Sequence, residues 1–131
     1  MDLNSFKTDL NKVEDGVWVD VGDGRLLIAR FGNKKFQRYL QTLMAPYKRM
    51  QGSEEQKDAI AEKQLIKAIA KYVVLGWEGM VLDGQELDYS EQSVIDILSN
   101  PQFVDFRNWI VTTAQDGDLF RAQEVEGVVG E

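Results

Sequence analysis

The sequence contains no cysteine and no histidine, and only two of its 131 residues are proline. Without cysteine and histidine, the chain has no thiol nucleophile, imidazole base, Cys/His zinc site or disulfide. Catalysis by serine with a carboxylate, by lysine or by a carboxylate pair remains open. The N-terminal residues lack the apolar core of a secretory signal, and no run of about 18 apolar residues follows. We therefore expect a soluble cytoplasmic protein.

The length and composition indicate one domain. Of the 131 residues, 44% are hydrophobic and 28% are charged. A domain of this size buries roughly two-thirds of its unfolded surface, so it needs no covalent cross-link. The last residues show no sustained period. We predict a single mainly helical domain over residues 1–121 and a flexible acidic tail over residues 122–131.

The net charge of −7 is unevenly distributed along the chain. Up to Ala70 there are 12 Lys/Arg and 10 Asp/Glu residues, giving +2, whereas from Lys71 onward there are 3 and 12, giving −9. The acidic second part should repel nucleic acids and anionic membranes. We therefore expect neither as a partner.

Residues 16–31 carry the pattern of a β-hairpin. The first arm alternates apolar and polar side chains, and Gly22-Asp23-Gly24 supplies the turn. The second arm, Leu26 to Phe31, is almost continuously apolar, so it is either buried on both faces or paired differently. A calcium loop formed by Asp20 and Asp23 is an alternative, but the spacing lacks the regular acidic positions and distal Glu of an EF-hand.

Asn33 is a good N-cap for a helix that the apolar spacing carries on to Gly52, with a kink at Pro46. Its apolar stripe is wider than one neighbouring helix usually covers. Either the helix is buried on two sides, or part of the stripe binds a partner. The candidate partner-binding residues are Tyr39, Leu43, Met44, Tyr47 and Met50.

Three further helix starts are recognisable. Ser53 opens a capping box for a long helix that we run to about Leu75, with Gly76 as the residue after its end. Ser90 caps a short helix, and Asn100-Pro101 starts another. The predicted fold class is mainly α, with a small N-terminal β-hairpin followed by about four helices in a compact bundle-like domain.

Two groups of charged residues have functional alternatives. Four carboxylates, in a segment with an Asp-Gly turn, could bind a metal or form an acid/base pair: Glu78, Asp83, Glu86 and Asp88. Three cations near aromatic residues could contact nucleic acid: Lys34, Lys35 and Arg38. We interpret the first group as a solvated turn and the second as a solvated helical turn. No phosphate-binding or nucleophile motif is present. We predict no catalytic residue, cofactor or metal, and expect a binding or assembly protein rather than an enzyme.

Several blocks, in a fixed order, carry a resemblance to a known family. They are GVWVDVGDGRLLIARFGNKKFQRYL, PYKR at 46–49, VLGWEGMVLDGQELDYSEQSVIDILSNP and FRNWIVTTAQDGDLFR. Together they resemble the tail assembly chaperones of long-tailed, non-contractile bacteriophages, over nearly the whole chain up to Arg121. The most specific stretch is Gly76-Trp77-Glu78-Gly79 with Asp83-Gly84 and Leu87-x-Tyr89-Ser90. We assign Trp77, Tyr89 and Trp109 to the core around this stretch.

The resemblance implies a small helical protein of the host cytoplasm that is absent from the mature virion. Such chaperones bind the tape measure protein and keep it soluble until major tail protein polymerises around it. Many also exist in a longer, frameshifted form that recruits major tail protein. The residues after Arg121 lack the lysine-containing ending of many members, so no frameshift can be read here. The alternative is a structural tail or head–tail connector subunit retained in the virion. The wide apolar stripes also predict a homo-oligomer.

Overall fold

The computed structural model describes residues 1–122, which contain five α-helices and five β-strands. The helices are α1 (Leu10–Asp15), α2 (Lys34–Met44), α3 (Glu54–Tyr72), α4 (Glu91–Ser99) and α5 (Val104–Ala114). The strands are β1 (Val17–Val21), β2 (Gly24–Ile28), β3 (Val74–Glu78), β4 (Val81–Leu82) and β5 (Gln85–Glu86). The predicted tail, apart from Ala122, lies outside the described residues. No helix among residues 1–122 is both long enough and apolar enough to cross a membrane.

The predicted N-terminal hairpin is confirmed. Strands β1 and β2 pair antiparallel around a two-residue turn, Gly22–Asp23, in which Gly22 has a φ of 56°. Strand β2 also pairs antiparallel with β3, so it is the central strand of a three-stranded sheet. Leu26 and Ile28 are fully buried. The central position explains why the second arm of the hairpin is almost continuously apolar.

The predicted fold class, mainly α with a small N-terminal β-hairpin and about four helices in a compact bundle-like domain, is wrong. Helices dominate, but the described residues are 57% helix and 17% strand, with a three-stranded and a two-stranded sheet. Helix α3 ends at Tyr72, and the chain passes directly into β3, where Gly76 pairs with Leu27. Gly76 is therefore a strand residue and does not follow a helix end. The apolar residues around Leu75 are compatible with a helix or with a strand. Strand β2 selects the strand because it provides hydrogen-bond partners.

Helix α3 lies at the centre of the fold. It contacts α2 and α4, and its C-terminal end contacts β3. The sheet is joined to the helices by main-chain hydrogen bonds, since the Ala29 amide donates to the Val73 carbonyl (2.8 Å) and the Phe31 amide to the Ala114 carbonyl (2.9 Å). The largest fully buried side chains are Phe120, Leu26, Ile28, Ile69, Leu98, Ile110, Val73, Val74 and Val94. One core therefore joins the sheet to the helices.

The first predicted helix, which corresponds to α2, is shorter than expected. It begins after Asn33 as predicted, but α2 ends at Met44 and a 3₁₀ turn, Ala45–Tyr47, follows. Pro46 has no amide hydrogen to donate to a carbonyl one turn earlier, so the α-helical pattern stops before it. The sequence predicted a kinked helix at this point, and the structure has a helix end.

The other predicted helix starts are confirmed by their caps. Ser53 and Gln56 form the capping box of α3, and the Ser90 hydroxyl accepts the Ser93 amide at 3.0 Å. The Asn100 side chain accepts the Gln102 amide at 3.0 Å, where a 3₁₀ turn leads into α5. These caps satisfy amides that would otherwise lack partners, which is why their sequence signals are local and readable.

Candidate partner-binding surfaces

Asn33 fixes the position of α2 against the rest of the fold. Its side chain is only 5% exposed. Its Oδ1 accepts the Phe36 amide (3.0 Å), and its Nδ2 donates to the carbonyls of Arg30 (2.9 Å) and Tyr72 (3.0 Å). One side chain thus caps α2 and forms hydrogen bonds with both the segment after β2 and the end of α3.

Tyr39 belongs to the packing between α2 and α3. Its ring meets the Tyr72 ring edge-on, with 5.5 Å between centroids, and the Lys71 ammonium lies 5.0 Å from the Tyr39 ring centre. The contact with α3 leaves Tyr39 half-buried. Among the five predicted partner-binding residues, Tyr39 is therefore also a contact within the fold.

The other four predicted residues form what we call the α2 end surface: Leu43, Met44, Tyr47 and Met50. Leu43 and Met44 lie in the last turn of α2 and are half-buried. Tyr47 is 38% exposed in the 3₁₀ turn, and its carbonyl accepts the Met50 amide at 3.1 Å. The structure therefore places two residues on a helix and two on the turn after it, so they do not lie on one continuous helical stripe.

The basic residues of α2 and of the turn after it differ in their contacts. Lys35 forms an ion pair with Glu14 at 3.6 Å, and the neighbouring Phe36 is buried in the core. Lys48 and Arg49 are exposed and form no ion pair within residues 1–122. The α2 end surface is therefore apolar with a basic border.

A second apolar surface was missed by the sequence reasoning. A cavity of about 270 Å³ opens between the β4–β5 hairpin and the junction of α4 with α5. We call it the Trp77 crevice. One wall contains Trp77, Met80, Val81 and Leu87. The other contains Ile97, Phe103 and Phe106. The spacing of Phe103 and Phe106 in the sequence indicates that they share one face, which forms one wall. The opposite wall depends on the pairing of β4 with β5, which the sequence analysis did not predict.

Trp77 and Tyr89 join the segment after β5 to strand β3. The Trp77 indole N–H donates to the Leu87 carbonyl (2.9 Å), and the Tyr89 hydroxyl donates to the Val74 carbonyl (3.0 Å). Trp77 is buried, as predicted, whereas Tyr89 is 36% exposed. Trp109 is half-buried and stacks on Phe106, with 6.3 Å between ring centroids. Burial raises the pKa of the Tyr89 phenol above its ordinary value, and the Glu91 carboxylate raises it further.

The carboxylates predicted to lie on a solvated turn are exposed. Glu78 pairs with Arg25 at 2.9 Å. Asp83 and Gly84 form the β4–β5 turn, with φ values of 53° and 79°. Over residues 1–122 there is no group of three or more Asp or Glu side chains placed to hold a metal ion. The geometry therefore does not assemble Glu78, Asp83, Glu86 and Asp88 into a metal site.

Comparison with known proteins identifies a family for most of the chain. Residues 31–131 match the model of a family described as YdaY prophage protein. No curated protein and no solved structure gives a significant match. The matched range includes both the α2 end surface and the Trp77 crevice. Because the match covers well over half of the sequence, the chain belongs to the YdaY prophage protein family and is a phage-derived protein.

Proposed function

We propose that this phage protein is a non-catalytic tail assembly chaperone. In this role it binds and solubilises the tape measure protein in the host cytoplasm, helps to recruit major tail protein, and is absent from the mature virion. Membership of a prophage family and the ordered sequence blocks that resemble tail assembly chaperones support the proposal. The observation that carries it is the α2 end surface.

The α2 end surface has properties suited to an apolar helical partner. Two of its four residues are methionines, whose unbranched side chains adapt to irregular surfaces. Amphipathic helices commonly dock on such apolar surfaces through side chains one turn apart. The turn after Met44 exposes Tyr47 next to Lys48 and Arg49, which form no ion pair in the described part of the chain, so one aromatic contact can be combined with recognition of acidic groups.

The charge distribution supports a solubilising role. Residues from Lys71 onward carry a net charge of −9, and like-charged complexes repel one another in solution. In the proposed role the first part of the chain binds the partner, and the second part keeps the complex dispersed. We also propose that the chain self-associates, since Tyr47, Val81 and Val104 leave apolar side chains exposed on its surface.

Co-expression with the tape measure protein of the same phage tests the proposal. The wild-type chain should raise the soluble yield of the tape measure protein, and the double variant Met44→Gln/Tyr47→Gln should raise it less than half as much. Glutamine keeps the length of methionine at position 44, and at position 47 it removes the aromatic ring, so both changes reduce the apolar contact area. The matched control, Leu10→Gln/Val104→Gln, alters two exposed apolar residues elsewhere and should behave like wild type. An unchanged yield with verified expression of both proteins would contradict the proposal.

Mass spectrometry of purified particles separates this role from that of a retained tail or connector subunit. A chaperone should be absent from the particles, or present only in traces. A fixed copy number per particle would instead show a structural subunit.

A further inference from the structure

The Trp77 crevice has a size that limits what it can hold. Its volume is about 270 Å³. Pockets for drug-sized ligands usually measure roughly 300–1,000 Å³, whereas a cavity of about 150 Å³ accommodates benzene. The crevice therefore has room for one large aromatic or aliphatic side chain. Val81 lies on its wall and is 65% exposed, so the apolar lining continues onto the surface.

The border of the crevice is acidic. Val81 and Glu86 are directly opposite each other in the β4–β5 hairpin, so their side chains lie on the same face. Asp83 lies in the turn of this hairpin, directly after Leu82, which also lines the crevice. Within residues 1–122, neither of these two carboxylates forms an ion pair. They are available to cations from another molecule.

The C-terminal residues of the chain do not match this border. Residues 123–131 contain three Glu and no Lys or Arg, so they add negative charge. Nucleic acids and anionic lipid surfaces would be repelled by the same carboxylates. An occupant that complements both features needs an apolar side chain for the crevice and cations for its border.

We propose that the Trp77 crevice binds a basic amphipathic segment of another protein. One large apolar side chain of that segment enters between Val81 and Phe106, and its Lys or Arg residues approach Asp83 and Glu86. The apolar contact supplies most of the affinity, and the charges supply specificity and speed of association. This surface is separate from the α2 end surface, so the proposal does not depend on the tape measure assignment.

The three tryptophan indole N–H signals provide a direct readout in nitrogen-15 NMR spectra of the full chain. The probes are synthetic helical peptides of equal length with one Phe anchor, having either a Lys-rich or a Glu-rich polar face, and a Lys-rich peptide with Ala in place of Phe. The Lys-rich Phe peptide should shift the Trp77 signal, since the Trp77 ring lines the crevice. The Trp18 signal is the internal control.

Variants separate the apolar contact from the charge effect. Val81→Asp removes an apolar part of the wall and adds a carboxylate that attracts the Lys-rich Phe peptide. Because the apolar contact supplies most of the affinity, binding should still weaken about tenfold. Val104→Asp adds the same charge in the first turn of α5 without changing the lining, and should bind at least as well as wild type.

Removal of the border charges tests their contribution: Asp83→Asn/Glu86→Gln should weaken binding about threefold to tenfold. Glu55→Gln/Asp58→Asn removes two charges from the start of α3 and should leave affinity unchanged.

Three outcomes would overturn the proposal. The first is no shift of the Trp77 signal up to about 1 mM of the Lys-rich Phe peptide. The second is equal binding of the Lys-rich and Glu-rich peptides. The third is a change in the sedimentation of the free chain on Val81→Asp with no loss of peptide binding, which would identify a second copy of the chain as the occupant.

Discussion

At the scale of single residues, Asn33 shows why a polar side chain can be buried at the centre of this fold. All of its hydrogen-bonding groups that face the core have partners, on α2, on the segment after β2 and at the end of α3. A buried polar group that is fully paired costs little and fixes one arrangement of its neighbours. The N-cap role was predictable from the local pattern. The bond to Tyr72 was not, because it joins residues far apart in the sequence.

Tyr89 gives the fold a pH dependence above neutrality. Its pKa is raised in the folded state, so the folded chain favours the protonated phenol. The stabilisation is fully present below the unfolded pKa of about 10 and is lost as the pH rises through the folded value. The hydrogen bond to the Val74 carbonyl is lost with the proton.

We predict that Tyr89→Phe lowers the free energy of unfolding by about 0.5–1.5 kcal/mol at pH 7. Between pH 10 and pH 11, the wild type should lose stability faster than the variant, since only the wild type has this phenol to ionise. Urea unfolding across this range measures both effects. The Tyr89→Phe variant retains the other tyrosines, so its pH profile shows how their ionisation affects stability. Parallel profiles for the wild type and the variant would contradict a raised pKa of Tyr89.

At the scale of secondary-structure elements, starts were predictable and some ends were not. Ser53, Ser90 and Asn100 act within one helical turn, so the sequence alone reveals them. The end of α3 depends on β2, which lies about 45 residues earlier and pairs with the chain beyond Val73. The residues Val73 to Leu75 fit a helix or a strand equally well when that partner is unknown.

Glycine substitutions distinguish the observed strand from the predicted helix end. At Gly76 an added Cβ would make only ordinary contacts, 3.7 Å from Leu27 and Trp18 side-chain atoms. Gly76→Ala should therefore leave stability unchanged or raise it by about 0.5–1 kcal/mol. A glycine that follows a helix end in the left-handed conformation would instead lose stability on this change.

Gly24→Ala is the matched change with the opposite expectation. Its Cβ would lie 2.8 Å from the Glu78 carbonyl oxygen, so the β2–β3 pair would have to separate. We expect a loss of about 1–3 kcal/mol. Urea unfolding of the two variants side by side measures the difference, and a larger loss for Gly76→Ala than for Gly24→Ala would contradict the observed strand.

At the scale of the whole molecule, two apolar surfaces with different charges lie on different elements of the fold. The α2 end surface has exposed cations beside it, and the Trp77 crevice has exposed carboxylates. The sequence predicted the charge asymmetry and the residues of the first surface. It did not predict the crevice, because its walls come from α4, α5 and a short hairpin brought together only by the fold.

The candidate site itself was predicted as a list of residues but not as a shape. Tyr39 and Leu43 are one turn apart on α2, as the periodicity indicated. Pro46 then ends the helix, so Tyr47 and Met50 are displayed by a turn. A local pattern cannot show which side chains of a wide stripe the neighbouring helix covers, and here α3 contacts Tyr39.

The central claim is that this phage protein binds an apolar helical partner through the α2 end surface. Hydrogen exchange of the full chain, free and in a purified complex with the tape measure protein, tests it most directly. We predict a stable complex in which the amides of residues 43–50 exchange at least about tenfold more slowly than in the free chain. Residues 17–21 of β1 should exchange equally in both states. Failure to form a complex, or protection confined to other parts of the chain, would contradict the claim.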